Sequence, residues 1–395
     1  MRPALMERPV AKMRRTRIAR LGASGVHACA ARMRRLIQPI VSMASSPPLL
    51  TPLLVRFGRL GDMLLQEPLL HLLHRRYGLP CTILTRGGWT GELYRSHPDV
   101  GAVWQLLGRN RLLAFSRERW RAIAKLRAHD GPVYISEDSR SSLKRIRWML
   151  RFAGVPRERC VFLRDIGLRE DEHWVDQALR FGRTTPAAYR EADYPWHDND
   201  MHAAPRLYLD AGDRADADSW LRQRGLADAP LVLLQAGNWH VHRWWEPRRS
   251  DPKFWPVENW AQLLRAMHAT LPQANLVLCG TPIESAVCEA ITRAANLAQV
   301  KLATSDLPIR RLMAVLERAH SMVSVDSGPA HLAAAMGCPL VLMYGGKYGP
   351  EKWNRRSPFG KPVINLGVNP RASSVADIPP GVAVDAWRQV SSAVR

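Results

Sequence analysis

The sequence has 395 residues, of which 46% are hydrophobic, a size that suits two domains with substantial cores and excludes a small disulfide-stapled scaffold. No stretch reaches the roughly 18 apolar residues of a membrane-spanning helix, and the net charge of +22 predicts attraction to nucleic acid, anionic lipid or a phosphorylated substrate. The six cysteines are scattered without a Cys-x-x-Cys pair, which indicates reduced thiols in the cytoplasm and no zinc site built on sulfur.

Residues 1–47 form a basic leading segment. Positions 1–45 hold ten Lys or Arg residues against one acid, Glu7. The segment lacks the apolar run of a secretory signal peptide, so we expect a disordered basic tail or an over-extended start, with translation beginning at Met43. A membrane-surface arm and an organellar transit peptide are the alternatives.

Strands and helices alternate over residues 48–205, the predicted amino-terminal domain. An apolar run at 49–57 predicts the first strand, which leads through a glycine turn into a helical pattern ending at Tyr77. Further strands are predicted at 81–85, 103–107 and 132–136, with helices at 117–128 and 142–152. This alternation is typical of an α/β domain with a parallel sheet.

A second alternation fills residues 206–370, the predicted carboxyl-terminal domain, after a polar linker at 185–205. Strands are predicted at 231–235, 275–279, 322–325 and 339–344, and helices at 257–271, 284–295, 309–319 and 330–336. Residues 371–395 are a tail with a short helix at 384–394. Two α/β halves of this kind usually bind their ligand in the cleft between them, at the carboxyl ends of the strands.

Asp62 follows the first predicted strand, at the end of the segment Arg-Phe-Gly-Arg-Leu-Gly-Asp. Gly58 and Gly61 permit a tight turn and leave room for a ligand beside the aspartate. Capping of the helix that begins here is one interpretation of Asp62. The functional one is a general base that takes the proton from an attacking hydroxyl.

A second candidate site lies where a predicted strand meets a small-residue helix, in the segment Ser-Val-Asp-Ser-Gly-Pro-Ala-His at 324–331. Asp326, Ser327 and Gly328 stand at the helix start, where backbone amides and the helix dipole favour an anion. An ordinary cap with proline in the first turn is the alternative. His331 alone is more typical of a satisfied buried histidine than of a catalyst.

Asn238 and Lys253 form a third candidate. Asn238 ends the turn after a predicted strand, and Lys253 follows an insert rich in Trp and Arg at 239–252. A lysine at the mouth of the cleft would neutralise a departing diphosphate, with an ordinary surface lysine as the alternative. The insert suits either a stacking platform for bases or a folded loop with cation-π pairs.

Glu284 and a basic segment complete the candidates. Glu284 follows a predicted strand and would accept hydrogen bonds from ribose hydroxyls, with helix capping as an equal alternative. Ser139, Arg140 and Lys144 lie in a basic, hydroxyl-rich stretch at 139–147. This stretch suits acidic groups of an acceptor, or else it is a solvated helix face.

Taken together and in this order, Asp62 after its glycine turn, Lys-x-Trp-Pro at 253–256 and Asp-Ser-Gly-x-x-His at 326–331 resemble the heptosyltransferase family of lipopolysaccharide core biosynthesis, glycosyltransferase family nine. The likeness covers roughly residues 50–360 and extends to His-Pro-Asp-Val at 97–100, Glu-His-Trp-Val-Asp at 172–176 and the segment 139–144. It implies the GT-B architecture, two Rossmann-like α/β domains facing a central cleft. It also implies an ADP-heptose donor, inversion at the anomeric carbon and no need for a metal.

The resemblance implies a role for each candidate residue. Asp62 would be the base that activates the acceptor hydroxyl, and Lys253 would hold the donor phosphates. The other donor-binding residues would be Asn238, Glu284 at the ribose, and Asp326, Ser327, Gly328 and His331 at the sugar and diphosphate. The acceptor would be bound by Arg59, Ser139, Arg140 and Lys144. The chain departs from the family pattern where Gly58-Arg59 replaces paired serines and where the insert precedes Lys253.

The resulting hypothesis is a cytoplasmic, monomeric, inverting and metal-independent glycosyltransferase on the inner membrane. It would move heptose or a related sugar from an ADP-sugar to a lipopolysaccharide-core or similar lipid-linked, phosphorylated acceptor, with no cofactor besides its nucleotide-sugar co-substrate. Its positive charge would attract the anionic membrane surface, and no nucleic acid is expected as a partner. Two alternatives stay open: a non-catalytic, basic nucleic-acid-binding protein, and a nucleotide-sugar epimerase of the same architecture.

Overall fold

The first half of the chain builds a five-stranded parallel sheet. The computed structural model describes residues 47–107, 117–167, 169, 172–237, 251–346, 354–368 and 371–393. The strands of the first sheet are β1 (Leu53–Val55), β2 (Cys81–Thr85), β3 (Val100–Gln105), β4 (Val133–Ile135) and β5 (Cys160–Phe162). They lie in the order β3-β2-β1-β4-β5. All strands except β3 are buried along their whole length, which explains their continuous apolar sequences.

Helices cover both faces of this sheet. They are α1 (Leu60–Leu64), α2 (Glu67–Tyr77), α3 (Thr90–Leu93), α4 (Arg117–Ala128), α5 (Arg140–Ala153) and α6 (Trp174–Arg183). Side chains alternate across a strand, so Leu53 and Val55 share a core with α4 and α5, whereas Leu54 shares one with α2 and α6.

The second half builds a six-stranded parallel sheet in the order β11-β10-β9-β6-β7-β8. Its strands are β6 (Leu231–Gln235), β7 (Asn275–Cys279), β8 (Val300–Ala303), β9 (Ser321–Val325), β10 (Leu340–Met343) and β11 (Val363–Leu366). Its helices are α7 (Ala211–Gln223), α8 (Val257–Thr270), α9 (Ser285–Ala295), α10 (Ile309–Arg318), α11 (Gly328–Ala335) and α12 (Pro380–Ser392).

The last helix, α12, belongs to the core of the second half. It begins at Pro380, before the predicted start at 384, and its Trp387 is fully buried. The indole N–H of Trp387 donates to the Ser321 hydroxyl at 3.0 Å. The prediction that this helix belongs to a tail outside the domain is wrong, because the buried Trp387 secures the helix to β9.

The two halves pack against each other within one compact unit, Pro47–Arg395. The contact joins α1 to α11: a Cβ on Gly328 would lie 2.9 Å from a methyl carbon of Leu60. The predicted α/β class with two parallel sheets is confirmed. Within the described ranges, no helix combines the length and apolarity needed to cross a bilayer. The domain boundary at 205–206 stays a prediction.

Candidate active site

Asp62 lies in the first turn of α1, shortly after β1. Its Oδ2 accepts a hydrogen bond from the backbone N–H of Arg59 at 2.7 Å, and its Oδ1 lies 3.5 Å from the Arg56 guanidinium. A Cβ on Gly58 would lie 2.5 Å from the Asp62 Cβ, so glycine allows this close turn. The capping contact considered for Asp62 is therefore present, and it engages Oδ2 rather than Oδ1.

The strand β9 runs into α11 through Asp326 and Ser327. Ser327 occupies the N-cap position with an extended backbone, and its hydroxyl lies 2.9 Å from that of Ser324 instead of capping the helix. Pro329 stands in the first turn, where its missing N–H removes no helix hydrogen bond. The first amides of α11 thus lie at the positive end of the dipole without a cap from Ser327.

Asp326 is held between two cations. Its Oδ2 accepts a hydrogen bond from Nζ of Lys253 at 2.5 Å, and its Oδ1 accepts one from the Arg355 guanidinium at 2.5 Å. Arg355, whose side chain is fully buried, also donates to the Tyr344 hydroxyl at 3.0 Å. Burial raises the pKa of Asp326, but Arg355 and Lys253 outweigh it and hold the pKa below its ordinary value. Two cations and one anion leave a net positive charge that suits an anionic ligand.

His331 of α11 meets the amino-terminal half. Burial lowers the pKa of His331 well below its usual range, and Arg355 lowers it further, so the imidazole is neutral at pH 7. A Cβ on Gly61 would lie 2.6 Å from ring atoms of His331. Because Gly61 directly precedes Asp62, the two sequence-predicted sites adjoin across the junction of the halves.

The Glu-His-Trp-Val-Asp segment secures the chain on both sides of Arg355. Nδ1 of His173 accepts the N–H of Val175, so Nε2 donates to the carbonyl oxygen of Asn354 at 2.8 Å. Asp176 accepts two hydrogen bonds of 2.7 Å from Arg356. Residues from the first half therefore hold the two neighbours of a buried cation of the second half, Arg355.

Glu284 caps the short helix Pro282–Glu284. Its Oε2 accepts hydrogen bonds from the backbone N–H of Thr281 at 2.6 Å and from the Thr281 hydroxyl at 2.8 Å, while Oε1 accepts one from Gln235 at 3.1 Å. A Cβ on Gly237 would lie 1.9 Å from Oε1. The capping alternative is present, and contact with a ribose stays a prediction.

The predicted acceptor residues lie beyond the carboxyl ends of β1 and β4 in the first sheet. Three of them, Ser139, Arg140 and Lys144, are exposed at the start of α5. Glu137 accepts the backbone N–H of Ser139 and that of Phe57, each at 3.1 Å. The start of α5 and the glycine turn with the exposed Arg59 are therefore held together by one carboxylate. Their role in acceptor binding stays a prediction.

One group of described residues has the composition of a metal site. Glu67, His97 and Asp99 are buried and offer ligand atoms within 4.8 Å of one another. Hydrogen bonds already engage both carboxylates: Asp99 contacts His74 at 2.6 Å, and Glu67 contacts His202 at 2.8 Å. Nδ1 of His97 accepts the N–H of Asp99 at 3.2 Å. We interpret the group as a polar network that ties α2 to β3.

Three residues of the site carry no clear signal in the sequence. Arg355 stands 29 residues after Asp326, and only the pair Arg355-Arg356 marks it. Arg56 directly follows β1, and Glu137 lies two residues after β4. A charged residue in the turn after an apolar strand was the only feature of the sequence that could have marked them. Asn238 and positions 239–250 of the insert lie outside the described residues, so their roles stay predictions.

Residues 241–374 match the family described as glycosyltransferase family 9 (heptosyltransferase). The matched range includes Lys253 and Asp326, which contact each other, and His331, which contacts Gly61 of α1. Over this range the chain is similar to the heptosyltransferase family. The resemblance predicted from the sequence is thus confirmed. The activity that the resemblance implies, glycosyl transfer, stays a proposal.

Two curated members of the heptosyltransferase family align with part of the chain. The lipopolysaccharide core heptosyltransferase OpsX of Haemophilus influenzae is 28% identical over 94 residues, which cover 23% of this chain and 26% of that protein. Lipopolysaccharide heptosyltransferase 1 of Salmonella typhimurium is 29% identical over 155 residues, which cover 37% of this chain and 44% of that protein. The chain thus aligns with less than half the length of either relative.

Solved structures of heptosyltransferases share the fold over nearly the whole described chain. The E. coli ADP-heptose LPS heptosyltransferase II has a TM-score of 0.65 at 18% identity, covering 87% of this chain and 99% of that one. A family 9 glycosyl transferase from Veillonella parvula has a TM-score of 0.67 at 15% identity, covering 88% and 99%. At these identities the likeness shows the fold alone, and it confirms the predicted GT-B architecture.

Proposed function

We propose that this protein transfers heptose, or a closely related sugar, from an ADP-sugar to a hydroxyl of a lipopolysaccharide-core or similar glycolipid acceptor, with inversion at the anomeric carbon. The observation that carries the proposal is the close approach of Gly61, the residue before Asp62, to His331, which lies in the helix that follows Asp326. Inverting displacement needs a base on one side of the sugar and charge stabilisation on the other.

The donor end is the group around Asp326. Nζ of Lys253 directs hydrogen bonds to the carboxylate and the carbonyl of Asp326, at 2.5 and 3.3 Å, which leaves a third N–H for a phosphate oxygen. As the bond from the anomeric carbon to the diphosphate breaks, this cation and the start of α11 would stabilise the departing charge without a metal ion. The solved E. coli heptosyltransferase WaaC is bound to ADP in one structure and to ADP-2-deoxy-2-fluoro heptose in another, which supports an ADP-sugar donor.

The acceptor end is the edge with Asp62. Its Oδ1 would take the proton of the acceptor hydroxyl while the hydroxyl oxygen bonds to the anomeric carbon. Arg59, Arg140 and Lys144 would bind phosphate groups of the acceptor saccharide, and Ser139 would add a hydroxyl. The net charge of +22 supports association with an anionic membrane that carries such an acceptor.

The test is a transfer assay with ADP-, UDP-, GDP- and CDP-sugars, with and without a lipid acceptor extract. We expect product only with ADP-heptose or a close analogue and only with the acceptor, unchanged by EDTA. Asp62→Asn should lower kcat by about 100-fold to 10,000-fold, with little change in the KM of the donor, because the base acts in the transition state. Mass spectrometry of the lipid product and its anomeric NMR signal measure the outcome.

A matched control is Asp385→Asn, because Asp385 is 77% exposed and contacts only Arg388 among the ion pairs of the described residues. It should transfer sugar like the wild type. Full activity of Asp62→Asn would refute the role of Asp62 as base. Conversion of the donor without acceptor would identify an epimerase, and binding of nucleic acid without any turnover would favour the non-catalytic alternative.

A further inference from the structure

The helices α4 and α5 lie side by side on the outer face of the first sheet. Together they hold ten Lys or Arg residues against one acid, Glu118. Their apolar sides, including Ile123 and Ile146, are buried against β1 and its neighbours. All ten basic residues except Arg119 are exposed, so the pair of helices presents a strongly cationic surface.

Three aromatic rings stand among these cations. The ring centroid of Trp120, in α4, lies 6.2 Å from that of Trp148 and 6.1 Å from that of Phe152, both in α5. The rings of Trp148 and Phe152 are 4.1 Å apart. Trp120 is 42% exposed and Phe152 is 46% exposed, so the cluster is ordered by the helix pair yet open to solvent. Aromatic rings with this mixed environment are enriched at bilayer interfaces.

Several cations of this surface have no ion pair with another described residue. The ion pairs within the described part of the chain include none with Lys125, Arg145 or Arg151. Burial lowers the pKa of Arg119, and the nearby positive charges of Arg145 and Arg86 lower it further. Contact with an anionic surface would relieve the repulsion between these like charges, whereas water with dissolved salt only screens it.

We propose that α4 and α5 dock on the surface of an anionic lipid bilayer through an aromatic-basic face, formed by Trp120, Trp148, Phe152 and the basic residues of the two helices. The rings would enter the interface, and the cations would contact lipid phosphates, each strengthening binding by about fivefold. This inference deepens the proposed function and rests on it, because docking on a bilayer serves an enzyme whose acceptor is linked to lipid.

The position of the face relative to the candidate site follows from α5 itself. The helix begins at Arg140, beside the predicted acceptor residues, and runs toward Phe152 at its other end. Glu137 ties its start to the turn that precedes Asp62. Docking would therefore hold the acceptor-binding edge next to the bilayer in which a lipid-linked acceptor resides.

The experiment measures co-sedimentation of the full chain with vesicles of phosphatidylcholine, with and without phosphatidylglycerol. The variants are Trp120→Ala/Phe152→Ala and Arg145→Ala/Arg151→Ala. The matched controls are Phe359→Ala, which removes another exposed ring, and Arg222→Ala/Lys361→Ala, which removes two exposed cations of the second half. The basic leading segment is the same in every protein, so differences report on the helices.

We expect each variant of the face to lower partition onto phosphatidylglycerol vesicles by about tenfold or more, while each control binds like the wild type. Vesicles of phosphatidylcholine alone should bind weakly throughout. Circular dichroism and Tm would show that the exposed substitutions leave the fold intact. Equal binding by the face variants and their controls would overturn the proposal. So would loss of binding to duplex DNA with unchanged vesicle binding, which would identify a nucleic-acid surface.

Turnover separates this proposal from the transfer reaction. With a soluble acceptor freed of its lipid, the face variants should keep the kcat/KM of the wild type, and with the acceptor embedded in vesicles they should lose it. If the wild type binds vesicles through the face but transfers no sugar to either acceptor, the transfer proposal fails and docking stands. If the variants transfer sugar equally well to both acceptors, docking through this face is refuted.

Discussion

Lys253 and Arg355 contact the same carboxylate, that of Asp326, but their surroundings differ. The Lys253 side chain is 28% exposed, whereas that of Arg355 is fully buried. Water cannot easily take the place of the enclosed Arg355 guanidinium, whereas it can take the place of the partly exposed Lys253 ammonium. The two cations should therefore differ in what they do for stability and for catalysis.

We predict that Arg355→Met lowers the free energy of unfolding by about 3 kcal/mol, because it takes a charge partner from a buried pair. Lys253→Met should lower it by about 1 kcal/mol or less, yet should reduce kcat at least about tenfold through loss of the proposed phosphate contact. Urea unfolding and transfer kinetics measure both effects. Equal destabilisation by the two variants would show that the difference in burial between Arg355 and Lys253 does not determine their contributions to stability.

At the scale of elements, the approach of α1 to α11 depends on two glycines. A Cβ at position 61 would lie 2.6 Å from the ring of His331, and one at position 328 would lie 2.9 Å from Leu60. Distances below about 3 Å cannot be accommodated without movement of a helix or a ring. The two glycines thus set how closely α1, which carries Asp62, approaches α11.

We predict that Gly61→Ala lowers the free energy of unfolding by about 1–3 kcal/mol and reduces kcat more than the KM of the donor, because α1 shifts with Asp62 relative to α11. Gly381→Ala is the control, since no atom lies within 4 Å of a Cβ at that helical position. It should leave activity unchanged and stabilise slightly. Thermal unfolding and steady-state kinetics test this prediction. A Gly61→Ala enzyme with wild-type kcat would show that activity does not depend on the close approach of α1 to α11.

At the scale of the whole molecule, the halves are also joined through Asp213 of α7 and Arg310 of α10. Arg310 donates to the Asp213 carboxylate at 3.1 Å and to the carbonyl oxygens of Glu92 and Arg95, in the first half, at 3.3 and 3.1 Å. Arg95 donates to Asp213 at 2.5 Å. Burial raises the pKa of Asp213, but hydrogen bonds from Arg310 and other groups outweigh it and lower the pKa to about 2.

We predict that Asp213→Asn lowers the free energy of unfolding at pH 7 by about 3 kcal/mol, because Arg310 is left buried without its charge partner. A carboxyl whose pKa falls on folding contributes its stability above its unfolded pKa of about 3.9 and loses it as pH falls toward the folded value. The difference between wild type and variant should therefore be constant above about pH 5 and shrink between pH 4 and 2. Urea titrations across this range measure it.

The control for this prediction is Asp216→Asn, because Asp216 also contacts an arginine, Arg311, but its side chain is 48% exposed. Exposed pairs contribute about 1 kcal/mol or less, so this variant should differ little from the wild type. A difference between wild type and Asp213→Asn that does not shrink in acid would contradict the assigned cause.

The sequence by itself determined the α/β class, the parallel sheets and the positions of Asp62 and Asp326, because periodicity and turn chemistry act over a few residues. It did not reveal β5, which has three residues, or β8 and β11, whose apolar sequences are interrupted by Lys301 and Asn365. Only the tertiary structure decided that Arg355 contacts Asp326, that Gly61 meets His331 and that Arg310 joins the halves. Such contacts connect residues far apart in the chain, and their free energy depends on burial and distance, which local patterns do not encode.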